Sequence, residues 1–290
     1  MSLNIINMND WIVGNKQYFL PPICNKLLYT NQLKVFFVGG PNQRKDYHIE
    51  EGEELFYQIK GDMCLKVIHN KKPKDIIIRE GQVFLLGPRI PHSPQRFPNT
   101  IGLVIERERL KEEWDALRYF VDNSTDILYE RWFYCQDLGS QLAPIIQEFQ
   151  ASDECKSGKP SENSKLRDAP YSDDSSQSLR TPFQLTEWLN KNTKYIDENG
   201  FKSLFDGKSQ STVVVYGGHQ THAFNTQSSE IFVLQLINES KIQFNGNYQQ
   251  LMTGNMVLIP KHTSCSLVSL MGSYTLTVSM PSMSSKSHQK

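Results

Sequence analysis

A pair of short segments occurs twice in the chain, and this repeat limits the folds that the chain can adopt. Residues 54–59, a strand-like run, are echoed by residues 230–236. The glycine turn and apolar run at 81–88 are echoed by 254–260, in the same order along the chain. Repetition of elements in one order indicates an internal duplication. We therefore expect two similar β domains, of which the second is a degraded copy of the first.

Short apolar runs bounded by glycine turns predict strands rather than long crossover helices. Such runs occur at 32–40, 63–69 and 101–106. Many short strands without long helices favour an antiparallel barrel or sandwich. Helical spacing is found around 9–12 and again throughout 107–149, where large apolar residues recur at intervals of three or four. We expect residues 107–149 to form helices and loops that pack against the first barrel.

The stretch between residues 159 and 180 is rich in Ser, Asp, Lys and Pro and poor in large apolar side chains. Such a composition cannot bury a core, so it predicts a flexible linker. It separates a first domain, residues 1–158, from a second, residues 181–290. The polar tail from 281 to 290 is predicted to be disordered.

Composition excludes several classes of partner. The 290-residue chain has a formal net charge of zero, which gives no electrostatic basis for capturing nucleic acid or an anionic membrane. No apolar run reaches the length of a membrane span, and the N-terminus lacks a signal-peptide pattern. The five cysteines are scattered without a closely spaced pair, as is typical of reduced thiols. We expect a cytosolic protein that binds neither nucleic acid nor membranes.

Three residues suggest a metal site. His48 precedes Glu54 by six residues, and His92 follows a neighbouring predicted strand. Two histidines and one carboxylate are the ligand set of a facial-triad non-haem iron(II) site, which leaves positions open for a substrate and O2. The alternative is a surface acidic loop with two incidental histidines. Spacing alone does not decide between them.

The surrounding sequence resembles the two motifs of the cupin superfamily. The run from His48 through Glu54 to Gly61 is similar to the first cupin motif, with glutamate in place of its second histidine. Residues 81–96 resemble the second motif, with the proline-to-histidine spacing shortened by one. The resemblance implies a mainly β protein with two cupin barrels, of the double-stranded β-helix type, and a few peripheral helices. The first domain is then the catalytic cupin domain, and the second is degenerate.

Longer segments are similar to one cupin family, the 3-hydroxyanthranilate 3,4-dioxygenases of the animal, two-barrel type. The similar segments are residues 21–27, 39–42, 44–54, 91–97 and 132–135. The resemblance is strong over the first ~150 residues and weak over the last ~110, as expected if only the first barrel is catalytic.

This resemblance implies a role for each site residue. His48, Glu54 and His92 bind Fe(2+). The substrate is an aromatic ring that carries adjacent hydroxyl and amino groups and a carboxylate. Arg96 becomes the partner of that carboxylate, because a guanidinium can hold a carboxylate through two parallel hydrogen bonds.

The resemblance also assigns roles to two further charged residues. Arg44 lies beside bound O2 and stabilises developing negative charge; the alternative is a solvated loop. Glu106 contacts the substrate and handles protons; the alternative is an ion pair with Arg107 or Arg109. Both alternatives remain open on the sequence.

Three residues complete the implied pocket. Asn25 and Phe56 are candidates for lining it, and Glu54 also contacts the substrate. Phe56 shares a strand face with Glu54, because alternate residues of a strand point to one side. Packing in the core explains Phe56 equally well.

The implied reaction is extradiol-type ring opening of 3-hydroxyanthranilate by O2. Its product, 2-amino-3-carboxymuconate semialdehyde, closes to quinolinate, a precursor of NAD, in the kynurenine pathway. The second class of function is a cupin without catalysis that binds a small ligand or has a structural role. A cupin enzyme with another metal and substrate is a third.

The second barrel lacks a full ligand set in the sequence. It keeps Glu230 where the first barrel has Glu54, but Phe224 and Ser264 stand at the positions of the two histidines. His222 lies two residues from Phe224. The pattern favours a barrel that covers the first one, as a dimer partner would, rather than a second metal site. We therefore expect a monomer.

Overall fold

The computed structural model describes residues 2–21, 24–174, 178–205, 207 and 209–281. The tail predicted to be disordered lies, after Pro281, outside the described residues. The fold is mainly β, as predicted, with four α-helices in the described part of the chain. None of these helices is long and apolar enough to cross a membrane.

The helices and strands have the following bounds. The α-helices are α1 (Met8–Gly14), α2 (Leu138–Ala151), α3 (Asp153–Ser157) and α4 (Leu185–Asn199), and a 3-10 helix covers Lys16–Phe19. The first twelve strands are β1 (Ile6–Asn7), β2 (Asn25–Thr30), β3 (Leu33–Gly39), β4 (Tyr47–Ile49), β5 (Glu54–Lys60), β6 (Met63–His69), β7 (Lys72–Ile78), β8 (Gln82–Leu86), β9 (His92–Arg96), β10 (Ile101–Arg107), β11 (Asp115–Phe120) and β12 (Ile127–Phe133). The remaining strands are β13 (Phe183–Gln184), β14 (Phe201–Ser203), β15 (Thr212–Tyr216), β16 (Thr221–Ala223), β17 (Ile231–Ile237), β18 (Glu239–Phe244), β19 (Asn247–Met252), β20 (Asn255–Ile259), β21 (Cys265–Ser269) and β22 (Tyr274–Ser279).

Each half of the chain builds most of two antiparallel sheets, and each half contributes one short strand to a sheet of the other half. In the first half the sheet orders are β13-β8-β5-β10-β3-β2 and β12-β11-β4-β9-β6-β7. In the second half they are β1-β20-β17-β22-β15-β14 and β16-β21-β18-β19. Buried apolar side chains fill the space within each half, and a larger apolar cluster joins the two halves. The predicted pair of barrels is therefore consistent with the sheets observed.

The prediction of helices and loops throughout 107–149 is wrong at two segments. Asp115–Phe120 and Ile127–Phe133 are strands that pair with each other. Five of the six residues of β11 are buried, so its apolar residues do not alternate with polar ones. A strand covered on both faces loses the period of two, which is why its spacing resembled a helix. Only α2 follows the helical prediction.

The first short strand of each half pairs with the sheet of the other half. The N-terminal strand β1 pairs with β20, and β13 pairs with β8. The helix that follows each strand begins with an equivalent backbone hydrogen bond. Met8 N donates to Gly254 O at 2.8 Å, and Leu185 N donates to Gly81 O at 3.0 Å. The two halves are thus joined by a reciprocal exchange of strands.

Residues 159–174, in the predicted linker, contact the first barrel. The Tyr171 hydroxyl donates to Trp114 O at 2.8 Å, and its ring meets Trp132 edge-on. Arg118 pairs with Asp173 at 2.8 Å. The division into residues 1–158, 159–180 and 181–290 stays a prediction.

Strand register shows which residues of the two barrels are equivalent. Both β5 and β17 have an irregularity in their pairing next to a glutamine, at Gln58 and Gln235. The backbone carbonyl of each glutamine accepts a hydrogen bond from the turn glycine, Gly81 or Gly254. Gln58 and Gln235 therefore occupy the same position, and the other equivalences follow from the ladders.

This register corrects two of the sequence matches. Counting back from the glutamines places Ile231, not Glu230, at the position of Glu54. On β21, Cys265 rather than Ser264 stands where His92 stands on β9, because Val67 and its counterpart Phe244 pair with them. Phe224 does match His48, as predicted, because its N–H donates to Cys265 O.

Glu230 instead corresponds to Glu53, and both carboxylates join the two barrels. Leu33 N donates to Glu230 Oε2 at 2.9 Å, and Ser211 N donates to Glu53 Oε2 at 2.7 Å. The ladders also make Leu33 and Ser211 equivalent, since Phe37 and Val215 occupy matching positions. In each barrel this buried carboxylate therefore accepts a hydrogen bond from a backbone N–H at the beginning of a strand of the other barrel, β3 or β15.

Candidate metal centre

His48, Glu54 and His92 are brought together by three strands of the first barrel. His48 on β4 and His92 on β9 are direct partners across an antiparallel pair. Partners on adjacent strands project from the same face of a sheet. Glu54 is the first residue of β5, in the facing sheet. All three are buried, and all three line one cavity of about 130 Å³.

The contact between His92 and Glu54 fits a metal. His92 Nδ1–H donates to Ile90 O at 2.9 Å, so Nε2 of the neutral ring carries only a lone pair. That nitrogen lies 3.2 Å from Glu54 Oε2. This oxygen is buried and has no hydrogen-bond partner in the described part of the chain. A metal ion bound by both atoms satisfies two groups that otherwise face each other without a hydrogen.

His48 is oriented by a carboxylate that sequence reasoning missed. Its Nε2 donates to Asp115 Oδ2 at 2.7 Å, which leaves the Nδ1 lone pair free for a metal. Arg109 holds Asp115 in turn through Nε and Nη2, both at 2.9 Å. Despite burial, the pair with Arg109 and the bond with His48 lower the pKa of Asp115 to about 2. A fixed carboxylate behind a ligating histidine is the usual second layer of a metal site.

Electrostatics keep the two ligand types in the forms that bind a metal. Burial lowers the pKa of His48, although Asp115 opposes this, so the ring is neutral. Burial acts to raise the pKa of Glu54, but the contact with His92, the nearby His48 ring and the charge of Arg109 outweigh it. The pKa of Glu54 is therefore lowered, and the carboxylate is ionised. A neutral imidazole and an ionised carboxylate are the states required for ligation.

Glu106 lies behind the cavity and does not line it. Its carboxylate pairs with Arg109 at 3.3 Å, the alternative that the sequence left open. In the described residues, Glu50, Glu54 and Glu106 are the set whose ligand oxygens all lie within 4.8 Å of one another. Arg109 also reaches Glu50 at 2.9 Å, so a guanidinium already provides the cation for this group. Burial raises the pKa of Glu106, because Arg109 only partly offsets it.

Arg96 presents a buried positive charge to the cavity. It is 2% exposed and lines the same cavity as the triad. Within the described residues, its guanidinium forms one hydrogen bond to protein, from Nη1 to Gln58 Oε1 at 3.4 Å, and no ion pair with a carboxylate. Burial lowers the pKa of Arg96 to about 10, so it stays charged at neutral pH. A buried cation without a counter-ion is costly, and an anionic ligand removes that cost.

Arg44 lies at the wall of the cavity and pairs with Asp46. Gln95 fixes its backbone, since Gln95 Nε2 donates to Arg44 O at 2.9 Å and Gln95 Oε1 accepts from Arg44 N at 3.1 Å. The loop is therefore held against β9 rather than free in solvent. Its guanidinium borders the cavity while Asp46 neutralises part of its charge.

Asn25 and Phe56 both line the cavity, as the resemblance implies. Phe56 is buried and also belongs to the apolar core beneath the site, so both explanations given for it hold together. Seven of the eight predicted site residues line this cavity, and Glu106 does not. Leu142 of α2 lines it as well. Its helical spacing indicated packing, which gave no sign of a place in the site.

Comparison with known proteins gives a consistent result. The family described as 3-hydroxyanthranilic acid dioxygenase matches residues 1–150. A Xenopus laevis protein named 3-hydroxyanthranilate 3,4-dioxygenase is 47% identical over 274 residues, which are 94% of this chain and 96% of that protein. The human protein of the same name is 43% identical, over 94% of this chain and 95% of its own length.

The solved structures support the fold. A cupin 2 conserved barrel domain protein from Leptotrichia buccalis aligns with a TM-score of 0.53 at 10% identity, over 97% of this chain and 98% of its own. At that identity the likeness concerns architecture alone. The match of the family across more than half of the chain, and relatives at this identity over nearly its full length, carry the assignment. The chain belongs to the 3-hydroxyanthranilic acid dioxygenase family.

Proposed function

We propose that this chain is an Fe(II)-dependent dioxygenase that opens the ring of 3-hydroxyanthranilate with O2. The product is 2-amino-3-carboxymuconate semialdehyde, which leads to quinolinate and NAD. The observation that carries the proposal is the buried Arg96, which has no carboxylate ion pair in the described residues and lines the same small cavity as His48, Glu54 and His92. Such a cavity offers a metal to one end of a small ring and a cation to a carboxylate at the other.

The residues of the site have separate roles in the proposed reaction. His48, Glu54 and His92 hold the metal, and this mixed nitrogen and oxygen set suits Fe(II). When bound, iron supplies a centre at which an aromatic substrate and O2 meet and exchange electrons. Arg96 binds the substrate carboxylate and fixes the direction of the ring.

The remaining residues set the environment of the reaction. Arg44 stabilises negative charge that develops on oxygen at the wall of the cavity. Asn25 and Phe56 shape the pocket and limit the entry of water. Glu106 reaches the substrate only by giving up part of its contact with Arg109, so it acts as a proton acceptor whose position depends on Arg109.

We also propose that residues 1–158 form the catalytic domain and residues 181–290 a degenerate barrel joined by 159–180. Ile231 and Cys265 stand in place of two metal ligands and belong to an apolar cluster. The second barrel supports the first through Glu230 and the exchanged strands. It takes the place of a partner subunit, which favours a monomer.

The test is anaerobic loading with Fe(II), followed by 3-hydroxyanthranilate and air. We expect O2 uptake in step with the appearance of the semialdehyde absorbance. Uptake of O2 without semialdehyde would place the reaction on another substrate. Iron bound without any O2 uptake would favour a binding cupin, and the same assay with Mn(II), Ni(II) or Zn(II) separates enzymes of other metals.

The assignment of Arg96 needs its own control. Arg96→Ala should raise KM for 3-hydroxyanthranilate roughly tenfold to hundredfold, the range for a hydrogen bond to a charged group. With 2-aminophenol, which lacks the carboxylate, the variant and the wild type should behave alike. An equal loss for both compounds would remove the assigned role. Arg131→Ala, which removes an arginine of β12 that pairs with Glu148 and does not line the cavity, is the matched control.

A further inference from the structure

Arg96 is bordered by Gln58 and Gly102. Both lie on central strands of the first barrel, where they are partners across β5 and β10. A Cβ on Gly102 would lie 2.6 Å from Arg96 Nη1 and 2.8 Å from Gln58 Oε1. Both distances are shorter than real contacts of a Cβ. Any side chain at position 102 therefore requires the guanidinium or the amide to move.

Gly102 is not needed for the shape of the backbone. It lies within a strand, outside the positive-φ region that favours glycine. A glycine inside a strand weakens the strand and often marks a place of close approach. Space for Arg96 is then the reason for the glycine.

The second barrel shows what this position looks like without an arginine. Thr275 is the equivalent of Gly102, and Ser269 is the equivalent of Arg96. The Thr275 hydroxyl donates to Gln235 Oε1 at 2.7 Å, and the Ser240 hydroxyl donates to the same oxygen at 2.5 Å. There the oxygen of the glutamine is satisfied by two hydroxyl groups, and a β-branched residue fits beside it.

One hydrogen bond of the glutamine amide nitrogen is the same in both barrels, and Gln235 Nε2 also donates to Ser273 Oγ at 3.0 Å. Gln58 Nε2 donates to Lys60 O at 3.1 Å, and Gln235 Nε2 donates to Ile237 O at 2.9 Å. The amide nitrogen is thus fixed by the local strand irregularity, which leaves the amide oxygen to face inward. What differs is its partner, Arg96 in the first barrel and hydroxyl groups in the second.

From this internal comparison we propose that Gly102 and Gln58 are positioning residues for Arg96. Gly102 provides the space that the guanidinium occupies, and Gln58 Oε1 fixes one of its nitrogens. Together they set the direction in which the remaining N–H groups face the cavity, and so determine the selectivity for substrates that carry a carboxylate. The inference rests on the proposed role of Arg96.

The test is Gly102→Ala in the iron-loaded, full-length protein. We expect KM for 3-hydroxyanthranilate to rise about tenfold or more, because a charged hydrogen-bond pair is misdirected. Turnover at saturation should change much less, and both parameters for 2-aminophenol should stay within about twofold of the wild type. A merely structural loss would affect both compounds alike and would lower bound iron.

Two further variants keep the test decisive. Gln58→Met removes the acceptor with little change in volume and should raise KM for the carboxylate substrate in the same direction, even if Gly102→Ala does not fold. Thr275→Gly makes the opposite change in the second barrel and should leave KM unchanged. Gly14→Ala, in exposed helix α1 with no atom within 4 Å of the added Cβ, controls for the substitution itself.

The outcomes separate this inference from the proposed function. If Arg96→Ala is selective for the carboxylate substrate but Gly102→Ala and Gln58→Met are not, the positioning role is wrong and the role of Arg96 stands. If Arg96→Ala itself shows no selectivity, both are overturned. Selective loss in all three first-barrel variants supports both.

Discussion

The two barrels share the same arrangement of strands but have different interiors. At equivalent positions the first barrel has His48, Glu54 and His92, where the second has Phe224, Ile231 and Cys265. The second set joins a continuous apolar cluster. The first set needs an added layer of polar partners to be buried at all. A metal site in a small barrel therefore requires changes in the residues behind the ligands as well as in the ligands.

The added layer lies outside the duplicated strands. Asp115, on β11, holds His48, and β11 and β12 extend the sheet that contains β4 and β9. In the second barrel the matching sheet has four strands in the described residues and ends at β16. The first barrel thus has two additional strands at the position where its buried charges need support.

The largest contrast should come from removing one ligand position in each barrel. His92→Ala should abolish stoichiometric iron binding, because the site loses one of three ligands. Cys265→Ala should keep the iron and lower the free energy of unfolding by roughly 0.5–3 kcal/mol through a small cavity. Metal analysis after anaerobic loading and urea unfolding measure the two effects. Full iron content with normal turnover in the His92 variant would overturn the ligand set.

A second contrast concerns the added strands. Asp115→Asn should weaken iron binding about tenfold to hundredfold, as is usual when the partner of a ligating histidine is changed. Glu130→Gln disturbs another buried arginine pair of the same sheet, with Arg118, but does not contact a ligand. Its iron affinity should stay close to that of the wild type. Equal losses in both variants would show a general effect of the sheet, and anaerobic Fe(II) titration distinguishes the two cases.

The equivalent carboxylates Glu53 and Glu230 allow a comparison within the interface between the barrels. Glu53→Ala and Glu230→Ala should each lower the free energy of unfolding by roughly 1–3 kcal/mol, because each leaves a buried N–H without its partner. Only Glu53 adjoins a proposed metal ligand, Glu54, so only its variant should also weaken iron binding. Urea unfolding of the metal-free protein gives the first effect and Fe(II) titration the second. A stable Glu230 variant would mean that this bond does little for the interface.

The smallest expected effect is on the pH dependence of stability, compared between His222 and His262 of the second barrel. Burial lowers the pKa of His222 below its ordinary value of 6.5, although a bond to Gly217 O opposes this. The unfolded chain therefore takes up a proton at His222 more readily than the folded one, and stability falls as the pH drops below 6.5. His222→Gln should make the fall shallower in the metal-free protein, as measured by unfolding at several pH values. The exposed His262→Gln is the control, and identical slopes in wild type and His222→Gln would contradict the expectation.

Sequence patterns predicted most of the strands, the internal duplication and the residue types of the proposed metal ligands. His48, Glu54, His92 and Arg96 could be found because their neighbours form motifs. Asp115 could not be found, since it lies in a segment whose burial on both faces hides the strand period. The roles of Gln58 and Gly102 could not be predicted either. A glutamine and a glycine within a strand indicate no function unless the position of Arg96 beside them is known.

The comparison of the two halves shows a second limit of prediction from the sequence. The letters Glu-Leu-Phe and Glu-Ile-Phe align Glu54 with Glu230, but the strand irregularities at Gln58 and Gln235 move that alignment by one residue. In a strand one residue changes the face to which a side chain points. The alignment of letters therefore matched Glu54, a proposed metal ligand, with Glu230, a carboxylate of the interface between the barrels.

The reciprocal exchange of β1 and β13 also bears on the history of the chain. In a two-fold symmetric dimer, residue i of one subunit contacts j of the other, and j contacts i. The bonds from Met8 to Gly254 and from Leu185 to Gly81 have this relation, as do those of Glu53 and Glu230. Such a pattern is the one left when a dimer with swapped arms becomes one polypeptide by gene fusion. After fusion, selection could relax on one of the two sites while these two reciprocal pairs of bonds between the halves were kept.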